Sequence, residues 1–342
     1  VIDLLLTIAH KEIYLVGLLA AMIIGGVVKT ENYFVPLYRW LNNTLRSKKA
    51  SLVIVSALSG IFPIEGRCTV SAPIMDSLCK SKHREKMGIL DYIATHHYYL
   101  WSPLEPSVLI FMSVLGISWF TFMQATIIPL IVYLLFMLGI VMFYVKDVDV
   151  ETPEYDSSPC TKETIGVGAI MFSGLGLMLY DPATYPFYVQ FPIIATALII
   201  ISNASLKTVL SFIRWKMLGS IGVIIGLGTY AKTYNAEFTS FITNGEFAVP
   251  VLLAIGTLMA VIMGSSSKYA GIGALIVSLT NITLLPLVIV FEFAGYLISP
   301  THKCLGISNM YFGTKISHMI GILGLLIACL ITAAIGAYYW YA

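Results

Sequence analysis

Tyr99-Leu100-Trp101-Ser102-Pro103 and Tyr296-Leu297-Ile298-Ser299-Pro300 are nearly the same words, 197 positions apart, and each interrupts a long apolar stretch. Upstream of each lies an apolar segment broken by a polar tip, and downstream of each comes one last uninterrupted apolar helix. Matching interruptions in two halves of a chain are a sequence pointer to the substrate site of a secondary transporter. Unwound backbone inside a bilayer persists only where it lines a cavity or is buried in protein.

Composition agrees with a bilayer setting. With 58% hydrophobic and only 11% charged residues and a mean hydropathy of +0.87, the chain reads as an all-α polytopic membrane protein. The net charge of +2 carries little information, but its distribution does. Nine of the twenty Lys and Arg fall at Lys29, Arg39, Arg46, Lys48, Lys49, Lys80, Lys82, Arg84 and Lys86, which marks that zone as cytoplasmic and the protein as a multi-pass resident of the cell (inner) membrane. Cys68, Cys79, Cys160, Cys304 and Cys329 show no CxxC spacing and read as reduced, structural thiols. No cleavable signal peptide is evident, although the chain starts at Val1, which leaves processing or truncation open.

Spans follow from the roughly 20 residues that one helical crossing needs. Residues 12–28 form a first crossing, with 1–9 a separate helix end or interfacial piece, and 31–49 suits a helix lying on the membrane surface. Residues 51–78 hold Pro63, Glu65, Gly66, Arg67 and Pro73 mid-segment between two basic clusters, so a re-entrant hairpin entered from the cytoplasm is the economical reading. Residues 84–117 make a broken helix around Ser102-Pro103-Leu104-Glu105-Pro106, and 119–145 returns to the cytoplasm.

The acidic stretch 146–163 links the halves as a solvated loop. Crossings at 164–180, 185–202 and 215–230 follow, then a second hairpin at 248–279 with Gly264-Ser265-Ser266-Ser267-Lys268 at its tip, entered from outside. A second broken helix spans 281–312, and 318–341 closes the chain. The domain plan is therefore a repeat over 1–145, the linker, and an oppositely oriented repeat over 164–342.

Two inverted halves, each ending in hairpin, broken helix and final helix, resemble the ion transporter superfamily of gluconate permeases, citrate carriers, dicarboxylate–sodium symporters and arsenite-pump membrane subunits. Ser56-Ala57-Leu58-Ser59-Gly60 through Pro73, and Gly295-Tyr296-Leu297-Ile298-Ser299-Pro300-Thr301-His302, are most similar to a branch near the gluconate permeases. The tips differ from the Ser-Asn-Thr of the dicarboxylate symporters, with Ile64-Glu65-Gly66-Arg67 and Ser265-Ser266-Ser267 in their place, so the substrate is expected only as a small anion. The resemblance implies an elevator-like movement of hairpins and broken helices against a static scaffold, and a homodimer.

The tips also carry chemistry of their own. A hairpin turning at mid-membrane leaves free backbone N–H groups at the start of its second arm, where anions are favoured. Arg67 and Lys268 reinforce that sign, and Thr69, Ser265, Ser266 and Ser267 offer hydroxyls. Together with Ser59, Gly60, Glu65, Gly66, Ser102, Gly264, Ser299, Thr301 and His302 they form the expected substrate site. A sodium ion is an alternative occupant for such hydroxyls and broken-helix carbonyls.

Glu105, Glu292 and Lys303 are read as the coupling groups for a proton or cation. Two plainer readings stand beside this: Arg67 pairs with Glu65 or Glu105 and Lys268 with Glu292, or Glu292 binds Lys303 as structure. His96-His97 beside Tyr98-Tyr99 suits either a proton relay or an interfacial anchor.

No HExxH or nucleophile–base spacing occurs, so neither an enzyme nor a metal centre is expected. The expected partners are a small anion, membrane lipid and a second copy of the chain, with no nucleic acid. The function expected is secondary transport of that anion coupled to protons or sodium, with a cation–proton antiporter as the rival.

Overall fold

The computed structural model describes residues 2–30, 84–146, 162–180, 186–216 and 248–341 continuously, with short pieces between 50 and 76 and between 218 and 226. Ser59, Gly60, Glu65, Gly66, Arg67 and Thr69, the tip of the first hairpin, the segment 31–49 and the linker 147–161 lie outside the described residues. Among the described residues every regular element is helical.

Helix α1 (Ile2–Thr30) runs without the expected interruption near residue 10. Ala9-His10-Lys11-Glu12 contains polar residues but neither proline nor glycine, so nothing there removes a rung of the hydrogen-bond ladder. Helix α2 (Arg84–Ala94) ends earlier than expected, passing into a 3₁₀ turn at His97–Leu100. The Asp91 carbonyl there accepts both the Thr95 N–H at 2.9 Å and the Thr95 hydroxyl at 2.8 Å.

Helix α3 (Pro106–Leu115) starts where Glu105 caps it and Pro106 takes the first turn, where a missing N–H costs nothing. It stops at Gly116, whose φ of +66° is left-handed. The counterpart after the second break, α11 (Lys303–Phe312), has the same ten-residue length and also stops at a left-handed glycine, Gly313, with φ +66°. At the constant offset of 197 residues, Glu105 therefore corresponds to His302, the residue that precedes α11.

Helix α4 (Trp119–Gly139) begins on Ser118, whose hydroxyl accepts from the Thr121 N–H at 3.1 Å, and continues through a π turn to Tyr144. Helices α5 (Lys162–Tyr180), α6 (Phe187–Ser202) and the short α7 (Leu206–Ser211) follow. Then come the two arms of the second hairpin, α8 (Ala248–Met263) and α9 (Ser266–Leu279), the first half of the second broken helix, α10 (Leu285–Leu297), α11, and the closing α12 (Ile316–Tyr341).

The segments Trp119–Tyr144 and Ile316–Trp340 are long and apolar enough to cross a membrane. At about 1.5 Å per residue each exceeds the roughly 30 Å of a bilayer's hydrocarbon. They pack against each other, while Phe120, Leu135, Phe143, Leu325 and Trp340 face outward. In water such exposure of large apolar side chains is unfavourable, whereas lipid accepts it.

Packing ties the two ends of the chain together. Helix α3 lies along hairpin arm α9, α2 along α11, and α8 along α10. Helices α1, α5, α6 and α7 form a second group, in which Gly26 lets the Phe212 ring lie on α1 and Gly174 admits Ile194. Helix α1 joins this group to the rest through α3.

Candidate functional site

The two breaks meet in the interior. Tyr99 and Tyr296, the first residues of the repeated words, share a hydrogen bond between hydroxyls at 2.6 Å, with ring centroids 5.0 Å apart. Tyr92 of α2 donates its hydroxyl to the Leu297 carbonyl at 2.7 Å, satisfying an acceptor that the end of α10 leaves free. The His302 ring stacks on Tyr296 with centroids 4.0 Å apart. His97, by contrast, is held locally: the Trp101 indole N–H donates to its Nδ1 at 2.8 Å and the two rings stack.

The second hairpin turns at Gly264-Ser265, between α8 and α9. Gly264 has φ +53°, and a Cβ there would strike Thr301, so glycine is required both by the backbone and by the close approach of the second break. Ser299 donates to the Val261 carbonyl at 2.6 Å and Thr301 to the Ile262 carbonyl at 3.2 Å. Both acceptors are end-of-helix carbonyls of α8, so these hydroxyls bind the hairpin to the break. Ser102 plays a comparable local part, accepting from the Leu104 N–H at 3.3 Å.

The start of α9 is open. Ser265 precedes it without a side-chain cap, its hydroxyl lies 3.5 Å from that of Ser267, and Lys268 is exposed on the first turn. The following residue, Tyr269, is buried and interacts with Glu105 and Ser107 at the start of α3. The hairpin from one half of the chain thus ends against the break in the other. Lys303 is exposed on the first turn of α11.

Three carboxyls are buried among the described residues. Glu105 accepts from the Ser107 hydroxyl at 3.2 Å. Asp91 accepts the Ser56 hydroxyl at 2.6 Å on one oxygen, while its other oxygen has no partner. Glu292 is 1% exposed, and neither of its oxygens has a hydrogen-bond partner.

The Glu292 carboxyl sits in a slot between the hairpin arms. A Cβ on Gly256 of α8 would lie 3.1 Å from one of its oxygens, and a Cβ on Gly273 of α9 would collide with the other. The expected pairings of Glu292 with Lys268 or Lys303 are not formed. A carboxyl desolvated to this degree needs a proton or a cation to offset the loss of hydration.

Of the expected site residues, the structure brings together Ser102, Glu105, Gly264, Ser265, Ser266, Ser267, Ser299, Thr301 and His302 around the meeting of the breaks with the second hairpin, and it places Glu292 between that hairpin's arms. It adds Asp91 and Tyr92, which sequence reasoning passed over, and brings in Tyr99, Tyr296 and Cys304, which the sequence named without a place in the site. Asp91 carried a usable signal, a carboxylate inside the apolar run Gly88-Ile89-Leu90-Asp91-Tyr92-Ile93.

Residues 5–151 match the model of a family described as a protein of unknown function, DUF401. The match contains the first break with Asp91, His96 and Glu105, and ends before α5. No curated protein matches the chain.

Proposed function

We propose that this protein is a multi-pass secondary active transporter of a small anion, coupled to protons or sodium and built from two inverted repeats. The observation that carries the reading is Glu292, a buried carboxyl with no hydrogen-bond partner, held in a glycine slot between the arms of a hairpin whose tip touches both breaks. A charge at such a depth costs about 2.5–3.5 kcal/mol on insertion scales, and a side chain that only filled space would be apolar. Proton or sodium binding there neutralises the slot and changes what holds the two arms together.

The anion would bind at the open start of α9, where Ser265, Ser266 and Ser267 offer hydroxyls and free backbone N–H groups beside Lys268. The equal lengths and glycine stops of α3 and α11, and the Tyr99–Tyr296 contact, support a repeat whose pseudo-axis passes through the centre. The packing of α1, α5 and α6 with one another supports the reading of 12–28, 164–180 and 185–202, with 215–230, as the static scaffold.

A cation–proton antiporter of the same architecture is favoured by one observation: Glu292 is buried with no hydrogen-bond partner, while Lys268 and Lys303 are exposed. An anion screen by thermal unfolding of the detergent-purified protein separates the two readings. A bound anion at 100 times its Kd stabilises by about 2.7 kcal/mol, and Lys268→Ala removes that gain. Stabilisation by Na⁺ or Li⁺ alone, unchanged in Lys268→Ala, would select the antiporter.

A further inference from the structure

His96, His302 and Cys304 converge in the interior, with one potential ligand atom from each lying within 4.8 Å of the others, all three side chains buried. His96 belongs to the first break; His302 and Cys304 open α11 after the second. Their hydrogen bonds fix the ring protons. His96 Nδ1 lies 2.5 Å from the Tyr92 carbonyl, which only accepts, so Nδ1 carries the hydrogen. Tyr92 has given its single hydroxyl proton to the Leu297 carbonyl, so at 2.8 Å it accepts from His302 Nδ1, which also carries its hydrogen.

With each ring carrying a single proton, both point a bare Nε2 lone pair inward, and the two Nε2 atoms face each other at 3.2 Å. Two acceptors at that separation repel unless a cation lies between them. Ligands of a tetrahedral ion with metal–nitrogen bonds of about 2.0–2.1 Å are themselves about 3.3–3.4 Å apart. Each ring also has its remote N–H anchored, one on a carbonyl and one on a hydroxyl, the arrangement that orients metal-binding imidazoles. The Cys304 thiol, in the first turn of α11, interacts with the buried Cys68 thiol and with both rings.

We infer that His96 Nε2, His302 Nε2 and Cys304 Sγ form a binding site for Zn²⁺ that fastens the first break to the second. Borderline-soft nitrogen and sulfur donors of this kind suit zinc over the oxygen-seeking Mg²⁺ and Ca²⁺. This site is separate from the Glu292 slot, and the inference stands whether or not the chain transports an anion.

The test uses the full chain, purified in detergent, stripped with a chelator and titrated with Co²⁺ and then Zn²⁺. Expected are one metal ion per chain by elemental analysis, a thiolate-to-cobalt charge-transfer band and tetrahedral d–d bands, with loss of the bands as Zn²⁺ displaces Co²⁺. Cys304→Ser abolishes the charge-transfer band, whereas Cys329→Ser, on α12, leaves it intact. Absence of the band from the wild-type protein, or its survival in Cys304→Ser, overturns the inference. The first result would assign the 3.2 Å contact to a proton shared by the two rings. Should Cys304→Ser not fold, the wild-type titration decides alone.

Discussion

Glu292 concentrates the chemistry of this molecule in one side chain. Its slot exists because Gly256 and Gly273 present no side chain where the two arms pass α10. A methyl group at Gly273 would occupy the space of the carboxyl, so Gly273→Ala should lower stability by about 1–3 kcal/mol, as overpacking does. In a double-mutant cycle with Glu292→Ala, thermal unfolding should reveal a coupling of about 1 kcal/mol or more between the two positions. Additive losses would mean that the carboxyl lies elsewhere. At this scale the sequence was partly readable: Glu292 and Glu105 stand out as acids among apolar neighbours. The partnership of His96 with His302 and Cys304 did not, because it joins residues 206 positions apart and leaves no local spacing to recognise.

Elements were more legible than contacts. The arms on either side of Gly264-Ser265, the second break and the two long spans lie within a few residues of where hydropathy and proline placed them, since those signals are local. The first helix was misjudged because polar residues were taken for a stop that only proline or glycine would have imposed. The end of α2 was placed too late because neither proline nor glycine marks it in the sequence. Expected roles also shifted: Ser299, proposed for substrate, donates its hydroxyl to the Val261 carbonyl, and the Thr301 hydroxyl lies within reach of both the Ile262 carbonyl and the Ser299 hydroxyl. Ser299→Ala and Thr301→Ala should each cost about 1 kcal/mol. Hydrogen exchange at residues 260–266 should quicken in the double variant, and unchanged exchange would show that the tip is held by other means.

Across the whole molecule the halves are interleaved rather than set side by side. The hairpin of the second half rests on α3 of the first, α2 runs along α11, and the two long helices pair with each other. Among the described residues, the centre where the breaks meet draws on both halves. That arrangement suits a proposed moving unit that shifts as one body against α1, α5 and α6, with its coupling carboxyl enclosed by the hairpin throughout. Coupling through Glu292 is the claim most directly open to measurement, by recording charge movement from proteoliposomes on a solid-supported membrane while an imposed proton or sodium gradient drives uptake of the anion found in the stability screen. The account predicts gradient-dependent currents in the wild type and their loss in Glu292→Gln, with the variant still folded and still binding the anion. Equal gradient-driven currents in the two proteins would contradict it.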